Sequence, residues 1–225
     1  MKEPTIDQYL IANCLYIIDE FNILYRDFED KILKIEADEK FNEMDITVRL
    51  GYPFKQNVHY AAGDGKRAKK LQKINHDLYV EQLDFRIEVK YLKNWISSAN
   101  TWAASKNWSA MQQDFDWLMD EIENGKKGKV AFVIGWFNCV GSFSQIIQLG
   151  KGGGAYPLVD ETKKVYFPFL VPKSNKTPIR TKDLDYDYTN TYKEAYIRLS
   201  SQRKEGFNCM FIGKRTDKFH FALYY

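Results

Sequence analysis

The sequence predicts an α/β protein with a mixed central β-sheet flanked by helices. A hairpin-like alternation of apolar and polar residues spans residues 77–91, an amphipathic helix spans 110–122, and a nearly continuous apolar strand spans Lys129–Phe137. The hairpin is antiparallel, whereas a helix between two strands favours a parallel crossover. Both kinds of pairing are therefore expected in one sheet. The helix would cover this sheet with four apolar residues: Met111, Phe115, Leu118 and Met119.

We expect one domain in three parts: an N-terminal helical segment (1–38), a core (39–142) and a C-terminal β-rich extension (143–225). The first part carries apolar residues at helical steps of three and four. They are Ile6, Leu10, Cys14, Ile17, Phe21, Leu24, Phe28 and Ile32. One helix or two would pack on the core, and the alternative use of this surface is a homodimer contact. The core would open with a helix over 41–50 and a strand over 54–61.

The extension has no motif that we can assign. Its glycine-rich stretch 150–154 lacks the spacing of a phosphate-binding loop and indicates a hairpin loop. We predict a strand over 164–171, a helix over 189–202, and a terminal hairpin from 207–212 and 219–225.

The hairpin would place two carboxylates and a lysine on one face. If residues 82 and 83 form its tip, Asp77 lies opposite Glu88, and Lys90 shares the face of Glu88. Opposed residues have Cβ atoms roughly 5 Å apart, so both acids could bind one ion. The same register pairs Leu78 with Ile87 and Val80 with Phe85. The alternative is an ordinary solvated hairpin face whose charges pair across the strands.

Asp77, ten further residues and then Glu88-Val89-Lys90 at the end of an apolar strand resemble the motif of the PD-(D/E)XK nuclease superfamily. This superfamily includes restriction endonucleases, Holliday-junction resolvases and RecB-type nucleases. His76 stands where the motif usually has proline. The resemblance covers about residues 40–140 and implies a restriction-endonuclease-like core.

The resemblance also implies metal-dependent hydrolysis of phosphodiester bonds. Asp77, Glu88 and the backbone carbonyl of Val89 would hold Mg²⁺, for which Mn²⁺ substitutes. Lys90 would orient the attacking water or stabilise developing negative charge.

Relatives often carry one more acid on the helix before the first strand. Glu43 matches this placement best and would be a further metal ligand, with Asp45 or Glu39 as alternatives. A surface acid on an amphipathic helix explains the position equally well.

A basic run between strand and hairpin would lie near such a site. Its members are Lys66, Arg67, Lys69, Lys70 and Lys73. They could contact phosphates, although a charge run is usually a solvated loop. Gln113, with Gln112 beside it, lies on the predicted helix where some RecB-like relatives place a glutamine near the substrate. Trp95, Trp102 and Trp108 could stack on bases, but covering the core is the favoured interpretation.

Composition limits the remaining classes. The chain has 225 residues, 44% of them hydrophobic, and a net charge of +3, which is too mildly basic for a nucleic-acid coat protein. No apolar run reaches the roughly 18 residues of a membrane span, and three scattered cysteines form no zinc spacing. We expect a cytoplasmic protein without membrane association.

We therefore expect a Mg²⁺-dependent nuclease, specifically an endonuclease that acts on double-stranded DNA. The resemblance implies a restriction or defence role for it. The main alternative is a catalytically inactive module of the same fold that binds nucleic acid or a protein. A third reading is an unrelated interaction protein.

Overall fold

A seven-stranded sheet organises the structure. The computed structural model describes residues 6–60, 77–94, 107–124, 129–199 and 205–225. The strands in these ranges are β1 (Val58–Tyr60), β2 (Leu78–Val80), β3 (Phe85–Leu92), β4 (Lys129–Phe137), β5 (Gly150–Lys151), β6 (Leu158–Val159), β7 (Leu170–Pro172), β8 (Leu184–Tyr186), β9 (Glu194–Ile197), β10 (Phe207–Ile212) and β11 (Phe219–Tyr224). The helices are α1 (Ile6–Leu24), α2 (Asp30–Ile35), α3 (Glu43–Gly51), α4 (Asn107–Glu123), α5 (Phe143–Ile146) and α6 (Glu161–Lys164).

The main sheet is open and mixed, as predicted. Its strand order is β1-β2-β3-β4-β11-β10-β9, in which β3 and β4 are parallel and every other neighbouring pair is antiparallel. Two short ladders, β5 with β6 and β7 with β8, lie outside it. Segment 143–225 therefore supplies three strands of the main sheet, and β11 pairs directly with β4.

Helices cover the two faces of this sheet with separate cores. On one face, α1 and α3 pack residues such as Leu10, Phe21 and Leu50 against β3 and β4. On the other face, α4 packs Met111 and Phe115, with Leu118 and Met119, against β4 and the C-terminal strands. The predicted helix and its buried stripe are confirmed. Strand β4 is buried on both faces, which explains its nearly continuous apolar sequence.

The hairpin of β2 and β3 has the predicted register. Leu78 pairs with Ile87 and Val80 pairs with Phe85. The glycine-free turn is a 3₁₀ turn over Glu81–Leu83, after which Asp84 adopts a left-handed conformation with φ of 43°. Aspartate tolerates this region better than most residues.

Four local predictions were wrong in whole or in part. The first strand is only β1, because the 3₁₀ segment Tyr52–Asn57, which has a kink inside it, continues α3 and places Pro53 near its start, where proline costs little. The N-terminal stripe is confirmed in part: Phe28 packs against the same core as the buried residues of α1, whereas the turn of the chain after α1 leaves Leu24 and Ile32 exposed.

The other two lie in the C-terminal segment. Residues 164–171 contain only the short strand β7, because Asp160 caps α6 and the chain stays helical to Lys164. Residues 194–197, predicted to be helical, form β9, since the free edge of β10 offers it a ladder. The terminal hairpin of β10 and β11 is confirmed.

Candidate functional site

The candidate site lies where β2 stops and β3 continues. Strand β2 pairs with β3 only from Phe85 to Ile87. Beyond that point two β3 amides donate to carboxylates instead of to a strand. The Val89 amide donates to Asp77 Oδ2 at 2.9 Å, and the Tyr91 amide donates to Glu43 Oε2 at 3.3 Å. Two acids from separate elements are thereby attached to one strand edge.

Glu43 reaches this edge because the start of α3 is tightly capped. Asn42 accepts from the Met44 amide at 2.8 Å, and Asp45 accepts from the Asn42 amide at 2.7 Å. This capping box makes Glu43 the first residue of α3. It also engages Asp45, while Glu39 is exposed in the π-helical turn Glu36–Lys40. Of the three predicted candidates, Glu43 is the one that contacts β3.

Lys90 bridges the two helical layers. Its Nζ lies 3.4 Å from Glu43 Oε2 and 3.4 Å from Asp114 Oδ2, and its side chain is 24% exposed. Burial alone would lower the pKa of the Lys90 ammonium, but the two carboxylates more than offset it and the pKa is raised. Lys90 therefore stays charged and is held by α3 and α4, not by cross-strand partners.

Asp114 was not predicted to belong to the site. It lies on α4 beside the buried residues Met111 and Phe115, on the border of the stripe that packs against the sheet. Its Oδ2 is buried and lies 3.4 Å from the Lys90 ammonium. The available signal was an acid flanking the apolar stripe of the crossover helix.

Glu88 is the most perturbed carboxyl of the group. Burial, the charges of Asp77 and Asp114 and a hydrogen bond to Asp77 raise its pKa to about 9, against the effect of Lys90. Burial also raises the pKa of Asp114 to about 6, and raises the pKa of Glu43. The Glu88 carboxyl therefore holds its proton to a much higher pH than an ordinary glutamate does, beside the carboxyl of Asp77.

The donor set suits a hard divalent cation. Two carboxylates, Glu43 and Asp114, contact the Lys90 ammonium, and the carboxyls of Asp77 and Glu88 interact with each other beside it. All these side-chain donors are oxygens, which Mg²⁺ and Mn²⁺ favour. The Val89 amide points to Asp77, and strand geometry directs the Val89 carbonyl to the same edge. Within the described ranges, no three His, Cys, Asp or Glu side chains are already arranged around a shared cation position. Two carboxylates are nevertheless a sufficient protein contribution for Mg²⁺, which retains several waters.

Only some of the other predicted binding residues lie in the part of the chain that the structure describes. Lys66, Arg67, Lys69, Lys70 and Lys73 lie outside the described residues, as do Trp95 and Trp102. Gln113 and Gln112 are exposed on α4, next to Asp114 in sequence. Trp108 packs with a ring-centroid distance of 5.5 Å on Tyr166, in agreement with a role in covering the core.

Comparisons of this chain with protein-family models, curated proteins and solved structures give no match. Among the described helices, none combines the length and apolarity that crossing a bilayer requires.

Proposed function

We propose that this protein is a Mg²⁺-dependent nuclease of the PD-(D/E)XK type, with Mn²⁺ as a substitute metal. The observation that carries the proposal is the meeting of Asp77, Glu88 and Lys90 at one strand edge, in the register that the motif requires. The parallel β3–β4 pair with its crossover helix α4 supports a restriction-endonuclease-like core.

Asp77 and Glu88 are the residues that would hold the metal, together with the carbonyl of Val89. The bound metal supplies Lewis-acid stabilisation and a template for in-line displacement at phosphorus. Glu88 must release its proton to serve as a ligand. Without the metal, the Glu88 carboxyl keeps this proton and hydrogen-bonds to Asp77. Metal binding is therefore coupled to deprotonation of Glu88.

Lys90 would provide positive charge at the reacting phosphate. Glu43 and Asp114 hold its ammonium between α3 and α4, so its position is set before substrate arrives. The same two contacts favour a second candidate, an inactive binding module in which Lys90 has a structural role.

The substrate that we propose is double-stranded DNA, in a restriction or defence role in the cytoplasm. A homodimer would supply the two active sites that cutting both strands requires. Lys66, Arg67, Lys69, Lys70, Lys73 and Gln113 remain proposed substrate contacts.

The deciding experiment is cleavage of supercoiled DNA, linear DNA and RNA with Mg²⁺ or Mn²⁺, repeated with EDTA. Glu88→Gln should reduce cleavage by a factor on the order of 10²–10³, because metal catalysis contributes several kcal/mol. Glu81→Gln is the matched control, since Glu81 lies in the turn of the same hairpin and is exposed.

Equal cleavage by the two variants would remove Glu88 from the mechanism. Silence of the wild type on every substrate, with DNA binding retained, would favour the binding module.

A further inference from the structure

A cavity of about 290 Å³ lies in the C-terminal part of the chain. Its floor is apolar and includes Phe143, Leu170 and Leu184, which are all buried. Its rim carries two exposed lysines, Lys173 and Lys182. An apolar floor below a cationic rim is suited to a ligand with an aromatic or sugar body and an anionic group.

In the part of the chain that the structure describes, the rim lysines have no acidic partner. Neither Lys173 nor Lys182 forms an ion pair among the described residues, whereas Lys90 has two. Lys173 Nζ donates to the Lys182 carbonyl at 3.0 Å, and Lys182 Nζ lies 5.5 Å from the centroid of the Tyr156 ring. These contacts hold both ammonium groups at the cavity mouth while leaving their charge without a counterion.

The acid that lines the cavity is already engaged. Asp185 Oδ1 accepts from the Tyr186 amide at 2.9 Å, and its Oδ2 lies 3.8 Å from Arg215 Nη2. The electrostatic balance at the mouth therefore remains positive. A hydroxyl donor, Ser142, completes the polar lining and lies 3.2 Å from Ser144 Oγ.

The cavity and the candidate metal site share one face of the sheet. The floor residues belong to the same core as α4, and Lys90 faces Asp114 of α4. Asn94, four residues after Lys90, accepts from the amide of Gly141 in the cavity wall at 2.5 Å. Four residues span at most about 14 Å, which puts this wall within roughly 20 Å of Lys90. A DNA strand advances about 3.4 Å per nucleotide, so roughly six nucleotides span that distance.

We infer that this cavity binds one nucleotide unit, with the phosphate on Lys173 and Lys182 and the sugar or base over the apolar floor. Two sources share this chemistry: a nucleotide of the strand being cut, and a free nucleotide. The first source rests on the proposed nuclease function, and the second does not.

The test measures binding by the full chain in Ca²⁺, with a labelled 12-nucleotide DNA as one probe and a deoxynucleoside monophosphate as the other. Lys173→Gln and Lys182→Gln should each weaken binding about tenfold, the loss of one charge-assisted hydrogen bond. Each should also reduce the salt slope for DNA by about one. Lys176→Gln is the matched control, because Lys176 is exposed nearby but does not line the cavity.

Lysine-dependent binding of DNA would identify the strand as the source, and lysine-dependent binding of the monophosphate alone would identify a free nucleotide. Inorganic phosphate should bind more weakly than the monophosphate, because it leaves the apolar floor unfilled. The inference is overturned if the wild type binds neither probe, or if all three lysine variants bind alike. Lysine-dependent binding without Mg²⁺-dependent cleavage would refute the nuclease proposal and leave this site in place.

Discussion

Apparent Mg²⁺ affinity should increase steeply with pH because Glu88 must lose a proton to bind metal. The pKa of Glu88 is about 9, so pH 7 lies two pH units below the point at which half of the Glu88 carboxyls are deprotonated. Each unit is a factor of ten, and the apparent affinity at pH 7 should be about 100-fold below its plateau above pH 9. Below pH 6 the apparent Mg²⁺ affinity should fall more steeply as the pH decreases. Asp114, with a pKa of about 6, then becomes protonated, which makes the surroundings of Lys90 more positive.

Isothermal titration calorimetry can measure this coupling directly. Mg²⁺ is titrated into the protein at half-unit steps from pH 6.5 to 9.5, in two buffers of different ionisation enthalpy. At pH 7 we expect release of about one proton per metal bound. Glu88→Gln should abolish both the proton release and the slope. Mg²⁺ binding that is tight, independent of pH and without proton release would refute the assignment of Glu88 as a metal ligand.

Three further predictions concern stability and the pH profile. In metal-free buffer at pH 7, Glu88→Gln should raise the free energy of unfolding by about 1–3 kcal/mol. A carboxyl with a raised folded-state pKa contributes stability below its unfolded pKa and loses it as pH rises towards 9, so thermal melts should converge near pH 4. Asp114→Asn should move the proton-release profile to lower pH, because Asp114 helps raise the pKa of Glu88. It should also slow cleavage about tenfold, because Lys90 loses one of the two carboxylates that position it. An unchanged proton-release profile would contradict the role of Asp114. Gly135→Ala should lower the free energy of unfolding, measured in urea, by about 1–3 kcal/mol, because the new methyl group would lie 2.9 Å from an aromatic ring of β11. Gly153→Ala is the control: its methyl group would face open space, so its unfolding curve should match that of the wild type.

The hairpin register could be predicted because it depends on local information. Apolar residues at two-residue spacing must face one core, which excludes every register shifted by one residue, and a tip at residues 82 and 83 then pairs Leu78 with Ile87, as the structure shows. The acids at the adjoining positions follow from that pairing. The helix α4 and the buried strand β4 were equally predictable from the sequence. The first has a clear helical periodicity of apolar residues, and the second is a nearly continuous apolar run.

Features that depend on distant segments could not be predicted in the same way. Asp114 joins the cluster only because α4 crosses over β3, which the sequence around position 114 does not encode. Strand β9 forms because β10 has a free edge, and this tertiary opportunity overrides local propensity. The sequence ranked Glu43 above Asp45, but the physical reason, a capping box that engages Asp45 at the start of α3, became visible only in the structure.

The edge of β3 beyond the end of the β2 ladder has a second consequence, for how the protein behaves in concentrated solution. A strand that outruns its neighbour presents amides on which another chain could add a strand. Here Asp77 and Glu43 occupy the amides of Val89 and Tyr91 with carboxylate oxygens and place negative charge along that edge. These two carboxylates therefore also oppose self-association by strand addition, so alanine variants at Asp77 and Glu43 should be checked for aggregation before a loss of activity is attributed to chemistry.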